Sequence, residues 1–488
     1  MMTRRKMLQT GILGASSLLL PGRRASAQYS TVAPFQVPLP IPPELTPTTS
    51  RKGGGGSLMI TQKEAYAQIL PGAPPTKLWT YNGVWPGPTI RARRGQPLTV
   101  RHINNLPDPT VVHLHGAHTP PASDGFPTDY IMPGEYRDYY YPNDDERGAT
   151  YWYHDHAMDV TAHHVYGGLS GFYILSDEVE DSLPLPKPPF DIALCLQDRS
   201  FNTDGSLFYD SFDYNGFLGN HFLVNGAITP FLATYRRKYR FRLLNGSNAR
   251  VYVLGLKNGE KFTVIGSDGG LLDRPTQTDR LTIAPAERYE IVIDFANHPV
   301  GTQLVLMNYL EQSTGRDADV MDLGPGRPVM AFNVAYNLGR RQTDSSYVPD
   351  VLNPVTRLKE SDATVQRTFD FGRSNGAWVV NGELFDPDRV DFRVKLGSTE
   401  VWTLNNGSGG WVHPIHIHDI QWQLLQRSGR TVYEHERGWK DTFFLAGGES
   451  VRVIGKFTGE NNVGRYQFHC HNVEHEDMRM MSRWDVVR

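Results

Sequence analysis

Disulfide cross-linking is the first thing this chain is not built on. Cysteine occurs twice in 488 residues, at Cys195 and Cys470, which excludes a small cross-linked scaffold. An excess of one charge is also missing. Lys and Arg number 49 against 52 Asp and Glu, a formal net charge of −3, so there is no basic field for nucleic acid. Long apolar runs are absent; the modest one at residues 7–20 is too short for a membrane span. Helical heptads are lacking, and the 12 methionines form no cluster. What the chain has in quantity is turn formers, 47 Gly and 34 Pro, which point to an all-β protein.

The N-terminus reads as an address. Arg4 and Arg5 precede the short apolar run, and Ala25-Ser26-Ala27 offers a small-residue cleavage site. Residues 1–27 therefore fit a twin-arginine signal peptide. The expected partner is the twin-arginine export machinery, and the expected destination is periplasmic or extracellular. Residues 28–57 are Pro-rich and then Gly-rich, without apolar periodicity, and read as a linker.

An internal repeat organises the remainder. Asn82-Gly83 is followed by Pro86, Pro88, Gly95 and Asn104; Asn225-Gly226 by Pro230 and Asn245; Asn381-Gly382 by Pro387, Gly397 and Asn405. Each copy reads as a turn, an extended stretch and an alternating strand. The spacing predicts three similar β domains, at residues 58–178, 188–336 and 365–488, joined by linkers at 182–189 and 337–363.

Histidine carries the chemistry. Ten of the 17 histidines fall in four clusters. These are His113-Leu114-His115, His154-Asp155-His156, His413-Pro414-Ile415-His416-Ile417-His418, and His469-Cys470-His471 with His475 after it. Met480 follows five residues beyond His475. A thiolate, two imidazoles and a weak thioether form a blue-copper electron-transfer ligand set. In an extended chain Cys470 points one way and His469 and His471 the other. One tripeptide thus serves a copper on one side and touches a second metal site on the other. The first and third repeats hold all these ligands, so they must meet face to face, with the second as a spacer. The adjacent pair His163-His164 is either an extra metal site or an ordinary pair.

These four motifs, in this order, resemble those of the multicopper oxidases. The resemblance spans the chain from about residue 75 to the end and is nearest to bacterial laccases of the spore-coat and bilirubin-oxidase type. It implies three cupredoxin-like Greek-key β-barrel domains and four copper ions. The blue, type 1 copper would take His413, Cys470 and His475 with Met480 as axial ligand, Met478 and Met481 being the competing methionines. The type 2 copper would take His113 and His416. The paired type 3 coppers would take His115, His154, His156, His418, His469 and His471. Cys195, left without a partner in an apolar strand, is expected to be a buried small hydrophobe, and no disulfide is expected.

The activity so implied is one-electron oxidation of a small-molecule or metal-ion reductant coupled to reduction of O2 to two waters. Two acids resemble those that deliver protons in this subgroup, Asp124 and Glu476; the bland alternatives are turn chemistry for Asp124 and a surface carboxylate for Glu476. A laccase-type oxidase of phenols and aromatic amines is the favoured reading. Oxidation of Cu(I), Fe(II) or Mn(II) is the runner-up, and the Cu(I) form is disfavoured because loop 311–327 holds only Met321. A copper-free exported scaffold is the non-enzymatic alternative, disfavoured because all twelve ligands are present. A monomer is expected, since one chain can build every site.

Overall fold

A computed structural model describes residues 32–49, 55–144, 147–316, 323–339 and 343–488. The twin-arginine segment lies outside the described residues, as does Met321. The chain is dominated by strands, with a few helices of five to seven residues. Among the described residues no helix is long and apolar enough to cross a membrane.

Among the described residues six sheets carry the fold, two in each third of the chain. In the first third, one sheet holds Gly87–Arg93, Ser170–Ser176, Ala149–Asp155 and Val112–His115, and its companion is centred on Gly56–Ala67, Leu98–Asn104 and Tyr136–Tyr141. Ile60, Val100, Val112, Tyr139 and Tyr153 fill the space between them. The middle third encloses the largest apolar cluster, including Leu194, Phe241, Tyr252 and Phe332. The last third packs Trp402, Trp422, Phe468 and Trp484 around Cys470 and Met480. Burial of these apolar faces, at about 25 cal/mol per Å², is the main stabilising term.

The Asn-Gly repeat has a structural cause. Asn82, Asn225 and Asn381 sit at φ +57°, +50° and +52°, and the glycines after them at φ +80° to +82°. Two consecutive left-handed residues make a tight turn that Asn-Gly tolerates best. Each Asn side chain also accepts from a backbone N–H on the neighbouring strand: Thr61, Cys195 and Asp370. The second Asn of each repeat clips a loop. Asn104 Nδ2 donates to the carbonyls of Asp108 and Ile131, and Asn245 Nδ2 to those of Arg250 and Ile283. In the third copy this work falls to Asn406, which donates to Trp411 O, and not to Asn405. Asn405 is one residue along and faces Asp370 and Ser450 instead.

Candidate metal centres

Strand alternation sorts the C-terminal ligands onto two sides. Strand His413–Ile417 pairs antiparallel with Gly464–Cys470, with Ile415 opposite Cys470 and His416 opposite His469. Side chains two apart share a face. His413 therefore lies on the Cys470 side, and His416 lies with His469 on the other.

On the Cys470 side three groups converge. His413 Nδ1 lies 3.3 Å from Cys470 Sγ, His475 Nδ1 lies 3.6 Å from that sulfur, and the two nitrogens are 3.2 Å apart. His475 is delivered by the short helix Val473–Asp477, whose N-cap, Asn472, accepts from the His475 N–H. The chain then folds back: Met480 N–H donates to His475 O, and Cys470 N–H donates to Met480 O. Met480 is fully buried in the same apolar cluster as Cys470. Met478 is only partly buried at its edge, and Met481 packs elsewhere, against Phe126 and Phe385.

On the other side eight imidazoles from the first and last thirds meet. Val112–His115 pairs with Ala149–Asp155, bringing His113 opposite His154. The nitrogens form three triads, the first two sharing His115: His113, His115 and His416; His115, His154 and His471; and His156, His418 and His469. The contacts are close, with His113 Nε2 3.2 Å from His416 Nε2 and His469 Nε2 3.2 Å from both His156 and His418 Nε2.

The outer nitrogens are held, which points the inner ones. His113 Nδ1–H donates to Asp124 O, His154 Nδ1–H to Asp155 O and His416 Nδ1–H to Asp441 O. His418 Nδ1 lies 2.8 Å from Asp124 Oδ2. Glu476 bridges the same triad, with Oε1 3.2 Å from His156 Nδ1 and Oε2 3.2 Å from His469 Nδ1. Such outer partners fix the tautomer and ring orientation of metal-binding histidines. Asp124 is buried, as is Glu476, so the latter is no surface group. Burial pushes the Asp124 carboxyl up to about 8 and raises Glu476 as well. Turn chemistry accounts for Gly125, at φ +82°, but the Asp124 side chain is committed to His418 and Thr119.

The residues fit metal. Burial lowers the pKa of nearly every imidazole in the two clusters, to about 3 for His413, so they stay in the neutral, ligand-competent form. His115 Nδ1, His154 Nε2 and both His471 nitrogens are buried without a hydrogen-bond partner among the described residues. Burying polar atoms unsatisfied is costly; a bound cation satisfies them. Burial raises the Cys470 thiol, so binding metal there releases a proton.

Several groups at the centre escaped the sequence. Asp441 touches His115 and Arg288 grips Asp441, both through long-range pairing, and the only hint was the charge pair Lys440-Asp441 ahead of Phe443-Phe444-Leu445. Asp155, inside a recognised motif, accepts from His164 Nδ1 and from the Val111 and Ala157 N–H groups, and so anchors the motif strand. His164 is thereby spent on Asp155, while His163 is exposed beside Trp79. Cys195 is a buried free thiol, as its apolar strand suggested.

Paired β sheets in three successive units, a thiolate–imidazole centre and an eight-imidazole cluster at the seam define a copper oxidoreductase of the multidomain β class. Family profiles for multicopper oxidases match residues 63–180, 193–323 and 355–488. The chain belongs to the multicopper oxidase family, whose members have cupredoxin-like β domains and use O2 as electron acceptor. It is 37% identical to a laccase of Bacillus subtilis, over 94% of this chain and 99% of that one. It is 38% identical to a bilirubin oxidase of Albifimbria verrucaria, over 94% and 83%. Among solved structures, the McoA multicopper oxidase of Aquifex aeolicus superposes with a TM-score of 0.83 at 31% identity, covering 94% of this chain and 100% of that one.

Proposed function

We propose that this protein is a laccase-type oxidase that takes single electrons from phenols, aromatic amines or similar reductants and reduces O2 to two waters. The relatives named laccase and bilirubin oxidase support that substrate class. We assign four coppers. The mononuclear site would take His413, Cys470 and His475, with Met480 as its thioether ligand. His113 and His416 would hold one ion of the cluster. His115, His154 and His471 would hold the second, and His156, His418 and His469 the third. The geometry supporting this is the grouping of Cys470 with His413 and His475, the triads His115–His154–His471 and His156–His418–His469, and His113 Nε2 3.2 Å from His416 Nε2.

One observation carries the reading. Cys470 belongs to the thiolate site while its direct neighbours in the chain, His469 and His471, belong to the triads on the opposite side. The backbone from Cys470 is thus a two-way covalent route for electrons. Copper, when bound, supplies the single-electron storage and the affinity for O2 that protein side chains lack. The chain supplies the rest. Buried histidines held by Asp124, Glu476 and Asp441 resist rearrangement as charge changes. Asp124, pushed up to about 8 by burial, can hold a proton at neutral pH and release it to oxygen as it is reduced, and burial raises Glu476 in the same direction.

Three domains, at 58–178, 188–336 and 365–488, complete the proposal, with residues 1–27 directing export by the twin-arginine machinery and the mature protein acting as a monomer. The test begins with copper content and the absorption spectrum. About four coppers per chain, with a thiolate-to-copper band that bleaches on reduction and returns in air, is the expected result. No copper and no colour after loading would leave the scaffold alternative. Faster oxidation of Cu(I) than of a dimethoxyphenol would make the protein a metallo-oxidase. Retention of precursor in the cytoplasm on replacing Arg4 and Arg5 by Lys is the expected export result, and undiminished export would refute that part.

A further inference from the structure

The middle third of the chain supplies no imidazole to the cluster, yet it places a cation there. Arg288, on strand Arg288–Asp294, is fully buried and grips Asp441 of the last third with both ends of its fork. Nη1 donates to Oδ1 at 2.7 Å and Nη2 to Oδ2 at 2.6 Å. Its other donors are spent on three carbonyls: Nε on Thr150 O, Nη1 also on Ala286 O, and Nη2 also on Asp268 O. All five N–H groups of the guanidinium are therefore used. They reach all three thirds of the chain.

Asp441 passes this anchorage to the histidines. Its Oδ1 lies 3.0 Å from His115 Nε2, and its backbone carbonyl accepts from His416 Nδ1. Those two rings stack with centroids 3.5 Å apart. An ionised carboxylate is acceptor-only, so His115 Nε2 carries the proton and Nδ1 keeps the lone pair. This reverses the orientation of His113, His154, His156, His416, His418 and His469 in the cluster, whose Nδ1 faces outward. His115 Nδ1 is buried and unpartnered among the described residues, and a ring nitrogen of His115 lies within 4.8 Å of ligand atoms of His154 and His471. Gly116, the residue after His115, makes room for the pair. A Cβ at Gly116 would fall against Arg288 Nη2 and 2.8 Å from Asp441 Oδ2.

We propose that Arg288 and Asp441 are positioning residues that hold His115 in its Nε2–H form, Nδ1 lone pair turned toward His154 and His471. The second domain is thereby part of the oxygen-reducing centre and not only a spacer. A neutral residue at 441 could hydrogen-bond His115 in either sense, and a lysine at 288 would keep the charge without the two-point grip. The inference rests on the copper reading above, and the experiment separates the two.

The parent, Arg288→Lys and the double variant Arg288→Met with Asp441→Leu are loaded with copper. Each is then challenged with a chelator while copper per chain, the blue band and the electron paramagnetic resonance spectrum are followed. The double variant removes both charges together, so no lone buried ion is left. The blue band of the Cys470 site should be unchanged in all three, which also reports a correctly folded last domain. Cluster copper should be released about 10- to 100-fold more readily in the double variant, with an altered cluster spectrum, and to an intermediate degree in Arg288→Lys. A merely structural clamp would leave the cluster spectrum as in the parent. A parent that loads copper, with folded variants that match it, overturns this inference alone. A parent that binds no copper overturns the underlying reading and this one with it. Should the variants not fold, ¹⁵N-histidine resonances of the metal-free parent decide: His115 as the Nε2–H tautomer sustains the proposal, and the Nδ1–H tautomer overturns it.

Discussion

Glu476 Oε1 lies 3.2 Å from His156 Nδ1, although one residue comes from the C-terminal motif and the other from the first repeat. The second oxygen of the same carboxylate reaches His469. One buried acid thus spans two imidazoles of a single triad. Glu476→Gln keeps the shape and removes the exchangeable acid. The blue band should survive, copper content should hold, and kcat with saturating reductant should fall by about 100-fold, the usual worth of a general acid. Stopped-flow reoxidation of the reduced enzyme locates the defect. An unaltered reoxidation rate would mean that Glu476 only orients His156 and His469.

Met480 and Met481 are neighbours with different surroundings. Met480 shares the apolar cluster of Cys470, while Met481 packs with Phe126 and Phe385. Met480→Leu should therefore raise the midpoint potential of the blue site, because a weak thioether ligand is lost, at under about 1.5 kcal/mol of stability for a swap of similar volume. Met481→Leu should leave the potential where it was. A redox titration giving the opposite pattern would move the axial role to Met481.

The parts of this protein that sequence reveals are those whose chemistry forces a short-range pattern. Two ligands on one strand face must sit two residues apart, so His113 with His115 and His154 with His156 announce themselves. A left-handed turn needs Asn-Gly, so the repeat at Asn82, Asn225 and Asn381 does too. Register is less legible. Asn405 and Asn406 are equivalent on paper, and only strand pairing tells which one faces the loop it clips. Least legible are charge pairs such as Arg288–Asp441, 153 residues apart, since any buried carboxylate could be matched with any arginine. The same holds for Glu436, which needs the fold to bring Arg427 and Arg430 to it.

That last network predicts how stability depends on pH. Burial alone would raise the Glu436 carboxyl, but Arg427 and Arg430 outweigh it and hold it down to about 2. A carboxylate depressed in the folded state stabilises it above the unfolded pKa, and the gain is lost as pH falls through the folded one. From an ordinary value near 4.5 the gain is about 3 kcal/mol at neutral pH. Glu436→Gln should thus melt well below the parent at pH 7, and the gap should close between pH 5 and 2. A gap independent of pH would assign the loss to packing.

Removing the metal tests the centres as structural elements. His471 has both nitrogens unsatisfied and buried, and His115 and His154 have one each, among the described residues. Without a cation these atoms cost free energy that the folded state must carry. Ligand binding to the native state alone stabilises it by mass action, by about 4 kcal/mol when free ligand is 1,000 times its dissociation constant. Copper should accordingly raise the melting temperature, and chelation should lower it and abolish the blue band together. The two losses need not be synchronous. The Cys470 site is a closed knot of His413, His475 and Met480 within one core, whereas the triads span the seam between the first and last thirds. Partial chelation should therefore take cluster copper first, leaving a blue protein that accepts electrons but no longer consumes O2. Loss of the blue band while cluster copper and its paramagnetic resonance spectrum remain would show that the seam, held by Glu476, Asp124 and the Arg288–Asp441 pair, is the firmer of the two.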